Sequence, residues 1–227
     1  METHVRSRSM EVCVIVNGIR QPIYRRLQDN QPFVAGLWGK PFVLEVRNNT
    51  TGRVEILSSV DGRNTLQEEE ANLRTSRGMV VGPNDVWRVT GWRIDENTTA
   101  EFVFTDPSQS VENMVTGQNI NAGVFGFALF HEYVVQQSAF RGATRGSGEV
   151  MRGGGPKNYG GDMGTGIGDV QSDRVGKTTF IRLSSEPEVL TIQYRSREWL
   201  ERNGIIVPDE PKAFPGSQTG YGSLLRG

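Results

Sequence analysis

Cysteine is almost missing from this sequence: Cys13 stands alone among 227 residues. One thiol excludes a disulfide framework, a cysteine-based zinc cluster and a CxxC redox pair. Histidine is nearly as scarce, with His4 and His131 far apart, so a zinc site would have to rest on carboxylates. Excess charge is missing too. Twenty-five basic side chains face 26 acidic ones, a net charge of −1, and a general nucleic-acid coat needs phosphate neutralised across a whole face. No direct nucleic-acid binding is expected. The longest apolar stretch, Ala122 to Phe130, is far short of the roughly 20 residues that span a bilayer. The opening Met1-Glu2-Thr3-His4-Val5-Arg6 has no apolar core behind its charges, so no signal peptide and no membrane partner are expected. These absences predict a protein of a reducing compartment, cytoplasmic unless packaged elsewhere.

Motifs of catalysis are also lacking. There is no Gly-x-Ser-x-Gly elbow and no His-Glu-x-x-His. Val175-Gly176-Lys177-Thr178 ends like a phosphate loop, but Gln171 occupies the first glycine position and the residues that follow read as a strand. Gly164-Thr-Gly166-Ile-Gly168-Asp169 has an acid where a dinucleotide fingerprint needs glycine. Asp61, Asp95 and Asp106 each sit at a turn or cap, where a short acid bonds neighbouring amides. The reading is of no enzyme and no cofactor.

Glycine is what the chain has in excess, 28 of 227 or about 12% against an ordinary 7%. Twelve of the 28 lie between Gly142 and Gly176, so the surplus belongs to one segment. Elsewhere short apolar runs alternate with turns. Val12, Val14 and Val16 precede Asn17-Gly18, a hairpin signal because both residues tolerate positive φ. Further strands are expected at Ile19–Tyr24, Phe42–Val46, Arg53–Val60, Met79–Val81, Val86–Gly91, Thr99–Thr105, Val124–Phe130, Thr178–Ser184 and Val189–Arg195. The run Val124–Phe130, apolar on both faces, predicts a central strand with a layer on each side. His131 at its end reads as a half-buried ring. Two short helices are expected. One is capped by Asp106 with Val111, Met114 and Val115 facing inwards, and the other begins at Ser196 and stops at Gly204. The fold class is therefore mainly all-β, a β-sandwich of jelly-roll type. Its expected parts are an N-terminal arm over 1–10, the sandwich over 11–206 with a glycine-rich insertion at 141–176, and an extended tail over 207–227.

The ordered motifs Ser59-Val60-Asp61-Gly62, Gly91-Trp92-Arg93, Ala100-Glu-Phe-Val-Phe-Thr105, Gly164-Thr-Gly166-Ile-Gly168 and Ser196-Arg-Glu-Trp-Leu200 resemble an uncharacterised family of bacteria, phages and large DNA viruses. The resemblance covers roughly Glu11 to Ile206. It implies no activity, cofactor or site residue. The acidic stretch Gln67 to Gly78 departs from it in length.

Arms, a glycine loop and a sandwich without a catalytic constellation predict a virion structural protein, a cement, decoration or vertex component on a capsid. Its expected partners are other copies of itself, as a homo-oligomer, and a major capsid or comparable shell protein. The expected contact residues are Arg141, Arg145, Arg152, Lys157, Tyr159, Gly164, Gly166, Phe214 and Tyr221. One alternative is a glycan-binding module that uses Trp38, Trp87, Trp92 or Tyr159. A second is a hydrolase with carboxylates near Asp61 and Asp95.

Overall fold

The computed structural model describes residues 2–67, 69–134 and 161–206. The strands in chain order are β1 (Val5–Arg6), β2 (Met10–Val16), β3 (Ile19–Arg20), β4 (Ile23–Arg25), β5 (Pro32–Gly36), β6 (Pro41–Asn48), β7 (Val54–Val60), β8 (Arg63–Asn64) and β9 (Met79–Val81). They continue with β10 (Val86–Val89), β11 (Gly91–Arg93), β12 (Thr98–Thr105), β13 (Val124–His131), β14 (Gly164–Ser172) and β15 (Glu188–Ser196). Two helices, α1 (Val111–Thr116) and α2 (Arg197–Arg202), complete the described chain, and neither is long and apolar enough to cross a membrane.

The strands form two sheets, as the all-β sandwich reading expects. The first runs β1-β2-β6-β12-β11, with β3 on β2, β10 on β6 and β14 on β12. The second runs β4-β5-β15-β13-β7-β8, with β9 on β7. Each sheet turns one face inwards, so side chains alternate between core and surface with period two. Val12, Val14, Leu44, Val46, Phe102 and Phe104 from the first sheet meet Ile56, Phe125, Phe127, Leu129, Ile192 and Tyr194 from the second. Phe42 lies at the seam. Its ring centroid is 4.2 Å from Phe104, 5.2 Å from Phe102 and 5.3 Å from Phe125.

Local chemistry explains several joints. Asn17 and Gly18, both at positive φ, close the β2–β3 turn, and Asp61 and Gly62 close β7–β8 in the same way. After two residues of β3 the chain leaves the first sheet at Gln21-Pro22 and enters the second as β4, so Ile19–Tyr24 is two strands and not one. Proline removes the donor that would continue the ladder. Asp106 caps a 3₁₀ turn over Pro107–Gln109, while Ser110 is the cap of α1. That shift turns the helix. Glu112 is its buried residue, whereas Met114 and Val115 face outwards, against the expectation. α2 begins at Ser196, whose hydroxyl accepts from the Trp199 amide, and Leu200 is buried.

Three segments depart from the expected organisation. Residues 2–10 include β1, whose Val5 pairs with Val12 and is buried, so this stretch is built into the sandwich. Gly164–Ser172, expected within the insertion, is a nine-residue strand along β12. Thr178–Ser184 is not a strand. It touches the end of β13 through one bridge, Glu132 to Arg182, and then turns away.

Candidate functional site

β13 is the central strand that its two apolar faces predict, but its second face is only partly covered by the described chain. Phe125, Phe127 and Leu129 point into the core, which leaves Val124, Gly126, Ala128 and Phe130 on the outside. At one end Phe130 packs with Leu57, Ala128 and Phe180. The Arg182 guanidinium lies 3.6 Å above the Phe130 ring, a cation–π contact. Arg182 also binds Glu55 at 2.7 and 3.1 Å and donates to the carbonyls of Leu73 and Ser76.

At the other end the side chains shrink. Ser59, Gly126, Ala128 and Thr191 lie side by side on β7, β13 and β15, and they floor an open trough of about 440 Å³. Gly126 sets the depth, because a methyl there would come within 2.5 Å of Ser59 Oγ. Leu73, Ile120 and Val189 rim the trough and are about half exposed. A concave surface edged by exposed apolar side chains is the form of a protein contact site.

Behind the trough lies a polar cluster that sequence reasoning missed. Asp61 is 1% exposed and accepts from three donors: the Gly123 amide at 2.8 Å, the Thr165 amide at 2.7 Å and the Tyr194 hydroxyl at 2.6 Å. It was expected to bond its neighbours in sequence; its partners instead lie on β14, on β15 and just before β13. The carboxyl therefore ties β14 of the first sheet to the second. Burial pushes its pKa up to about 7, against the pull of those donors. Burial and the Asp61 charge together raise the Tyr194 phenol well above its ordinary range. Beside them Arg195 is buried and donates to the Gly123 and Tyr194 carbonyls, with burial lowering its pKa. Gly123 is at φ +85°, and a Cβ there would sit 2.1 Å from Arg195 Nη1. The one sequence signal for this cluster was Asp61-Gly62 itself, which marks a turn equally well without it.

The other expected residues fall as follows. Gly164 and Gly166 are buried on β14, the first against Ser110 and the second accepting from Trp92 Nε1, so they belong to the sandwich and not to a contact loop. Arg141, Arg145, Arg152, Lys157, Tyr159, Phe214 and Tyr221 lie outside the described residues. Trp87 is core and Trp92 packs edge-on against Phe102. Trp38 is 48% exposed. Asp95 and Asp106 bond local amides, as expected, at surface turns. Asp61 is sealed in the core, so Asp61 and Asp95 do not share a site. His131 is exposed, because it ends β13 beyond the core. Among the described residues no group of three or more His, Cys, Asp or Glu side chains could hold a metal ion.

Comparison of the chain with protein-family models, curated proteins and solved structures gave no match.

Proposed function

We propose that this chain is a virion structural protein, a cement, decoration or vertex component that binds a shell protein through the outer face of its second sheet. The trough across Ser59, Gly126 and Thr191 carries this reading. A large apolar side chain fully buried there contributes about 1.5–3 kcal/mol, and Leu73, Ile120 and Val189 on the rim extend the area that a partner would cover. Stable interfaces bury about 1,200–2,000 Å² in total, so the trough serves as the centre of a contact that runs onto the surrounding sheet. The ordered motif string and the arginine-bearing glycine segment in the sequence support the viral setting. Other copies of the chain are further partners in this reading.

The test starts with particles purified from the virus or phage that encodes this sequence, examined by mass spectrometry for the chain. Stripped shells are then recombined with purified protein and sedimented. Val189 is exposed, so Val189→Asp leaves the fold intact while it places a charge in the trough. Wild type is expected to co-sediment and the variant to lose at least tenfold in affinity. Absence from particles, or equal binding by the variant, overturns the reading.

A further inference from the structure

A second concave site lies where β8, β11, α1 and β14 come together, away from the trough. Its volume of about 430 Å³ falls in the roughly 300–1,000 Å³ range of small-molecule sites. Ile94, Val111, Val115, Ile167 and Val170 make most of its wall, and four of these are at least half exposed. Two arginines share this apolar cleft, and both have outstanding donors. Arg93 has a side chain 8% exposed and spends Nη1 and Nη2 on Asp173, which leaves its buried Nε–H without an acceptor. Arg63 is 7% exposed, and its guanidinium makes no hydrogen bond or ion pair with the described residues. The acid that feels its charge is Glu112, which also feels Glu70. Glu112 is taken up by the backbone and side-chain amides of Asn121, at 2.9–3.2 Å.

We propose that this cleft binds a molecule with an apolar body and a single carboxylate, the carboxylate meeting Arg63 and the body lying along Ile167, Val170, Val111 and Val115. A carboxylate matches the flat fork of the Arg63 guanidinium. One negative charge fits one guanidinium to which no described side chain is hydrogen-bonded. A phosphate dianion would meet the fields of Glu112 and Glu70 with only Arg63 to balance it. Trp92 lines the cleft with its indole N–H already given to the Gly166 carbonyl, so it offers the ligand its ring.

Sodium octanoate titrated into the full chain, followed by calorimetry and tryptophan fluorescence, tests this. Octanoate is expected to bind at least tenfold tighter than octanol, and octyl phosphate is expected to bind more weakly than octanoate. Arg63→Gln should cost tenfold or more for octanoate and leave octanol unchanged. Because Arg63 is buried, a second variant guards against misfolding: Val115→Trp changes an exposed residue, fills the cleft and should abolish binding of both. An apolar peptide with a free C-terminus, compared with its amidated form, separates the two sources of such a carboxylate. A free-ended peptide that beats octanoate assigns the site to a chain end, and the reverse assigns it to a free acid. Equal affinity for octanoate and octanol, or octanoate binding unaffected by Val115→Trp, overturns the proposal. Shell binding by these variants should match wild type, so failure here leaves the trough reading standing.

Discussion

Tyr194 donates its hydroxyl proton to Asp61 Oδ1 across 2.6 Å, and Thr165 Oγ1 stands 2.7 Å from the same phenol oxygen. All three side chains are buried. Tyr194→Phe keeps the ring in its stack on Phe125, 4.4 Å between centroids, and removes one of the three donors to the carboxyl. We expect a loss of about 1–3 kcal/mol, read from urea or guanidinium unfolding. A change smaller than the error of that measurement would show that Asp61 does not depend on the phenol.

The pH dependence of stability carries the mark of the same carboxyl. Its folded pKa of about 7 lies above the ordinary 3.8, so the folded state holds the proton more tightly than the unfolded chain. That stabilisation is complete below the ordinary value and is lost as pH rises through about 7. Glu45 and Glu188 are shifted downwards by their donors and act the other way, mainly below pH 4.5. Between pH 5 and 7 wild type should therefore lose stability relative to Asp61→Asn, by no more than about 3 kcal/mol. Parallel stability curves for the two proteins would refute the assignment.

Phe42 is the ring that joins the sheets, stacked with Phe102 and Phe104 on its own side and tilted against Phe125 and Tyr194 opposite. Phe42→Ala should cost about 3–5 kcal/mol, while Val189→Asp on the surface should stay within about 0.5 kcal/mol. Thermal and chemical unfolding of the two variants side by side checks the contrast.

Arg182 holds Phe130, Glu55 and the loop carbonyls of Leu73 and Ser76 together. Arg182→Ala strands the buried Glu55 carboxylate and should cost about 3 kcal/mol or more. Limited proteolysis should then cut near Leu73 at protein concentrations where wild type resists. Glu55→Gln in the same chain should recover part of the loss, because the stranded charge is gone.

Cys13 is buried with Sγ 3.7 Å from Glu45 Oε1, and burial pushes its thiol up to about 11. Native protein at pH 8 should resist a disulfide reagent that labels it fully in guanidinium. Rapid native labelling would mean that β2 opens locally.

Most strands were legible because their alternation is simple. Met79–Val81 needed no adjustment, and Leu190, Ile192 and Tyr194 face the core as their spacing required. β5 was missed because proline and glycine bound a stretch of only five residues. β14 was missed because glycine supplies no side chain to alternate, although Gly164–Ser172 pairs along almost the whole of β12. Thr178–Ser184 misled in the opposite sense. Its apolar residues suit a strand, but Arg182 is drawn to Glu55 and the loop carbonyls, and Pro187 follows. The trough depends on Ser59 lying beside Gly126, and the polar cluster on Asp61 reaching Thr165 and Tyr194. Those are relations across strands, which spacing along one strand does not record.

The second sheet places β15 between β5, its parallel neighbour, and β13. This last strand of the described chain is thus the keystone between two groups of strands made earlier. During synthesis β4 and β5 have no link to β13, β7 and β8 within that sheet until residues 188–196 leave the ribosome. Closure at so long a sequence separation is slow. A chain cut before Glu188 should therefore fail as a whole, with its two half-sheets left with open edges, instead of yielding a smaller working sandwich.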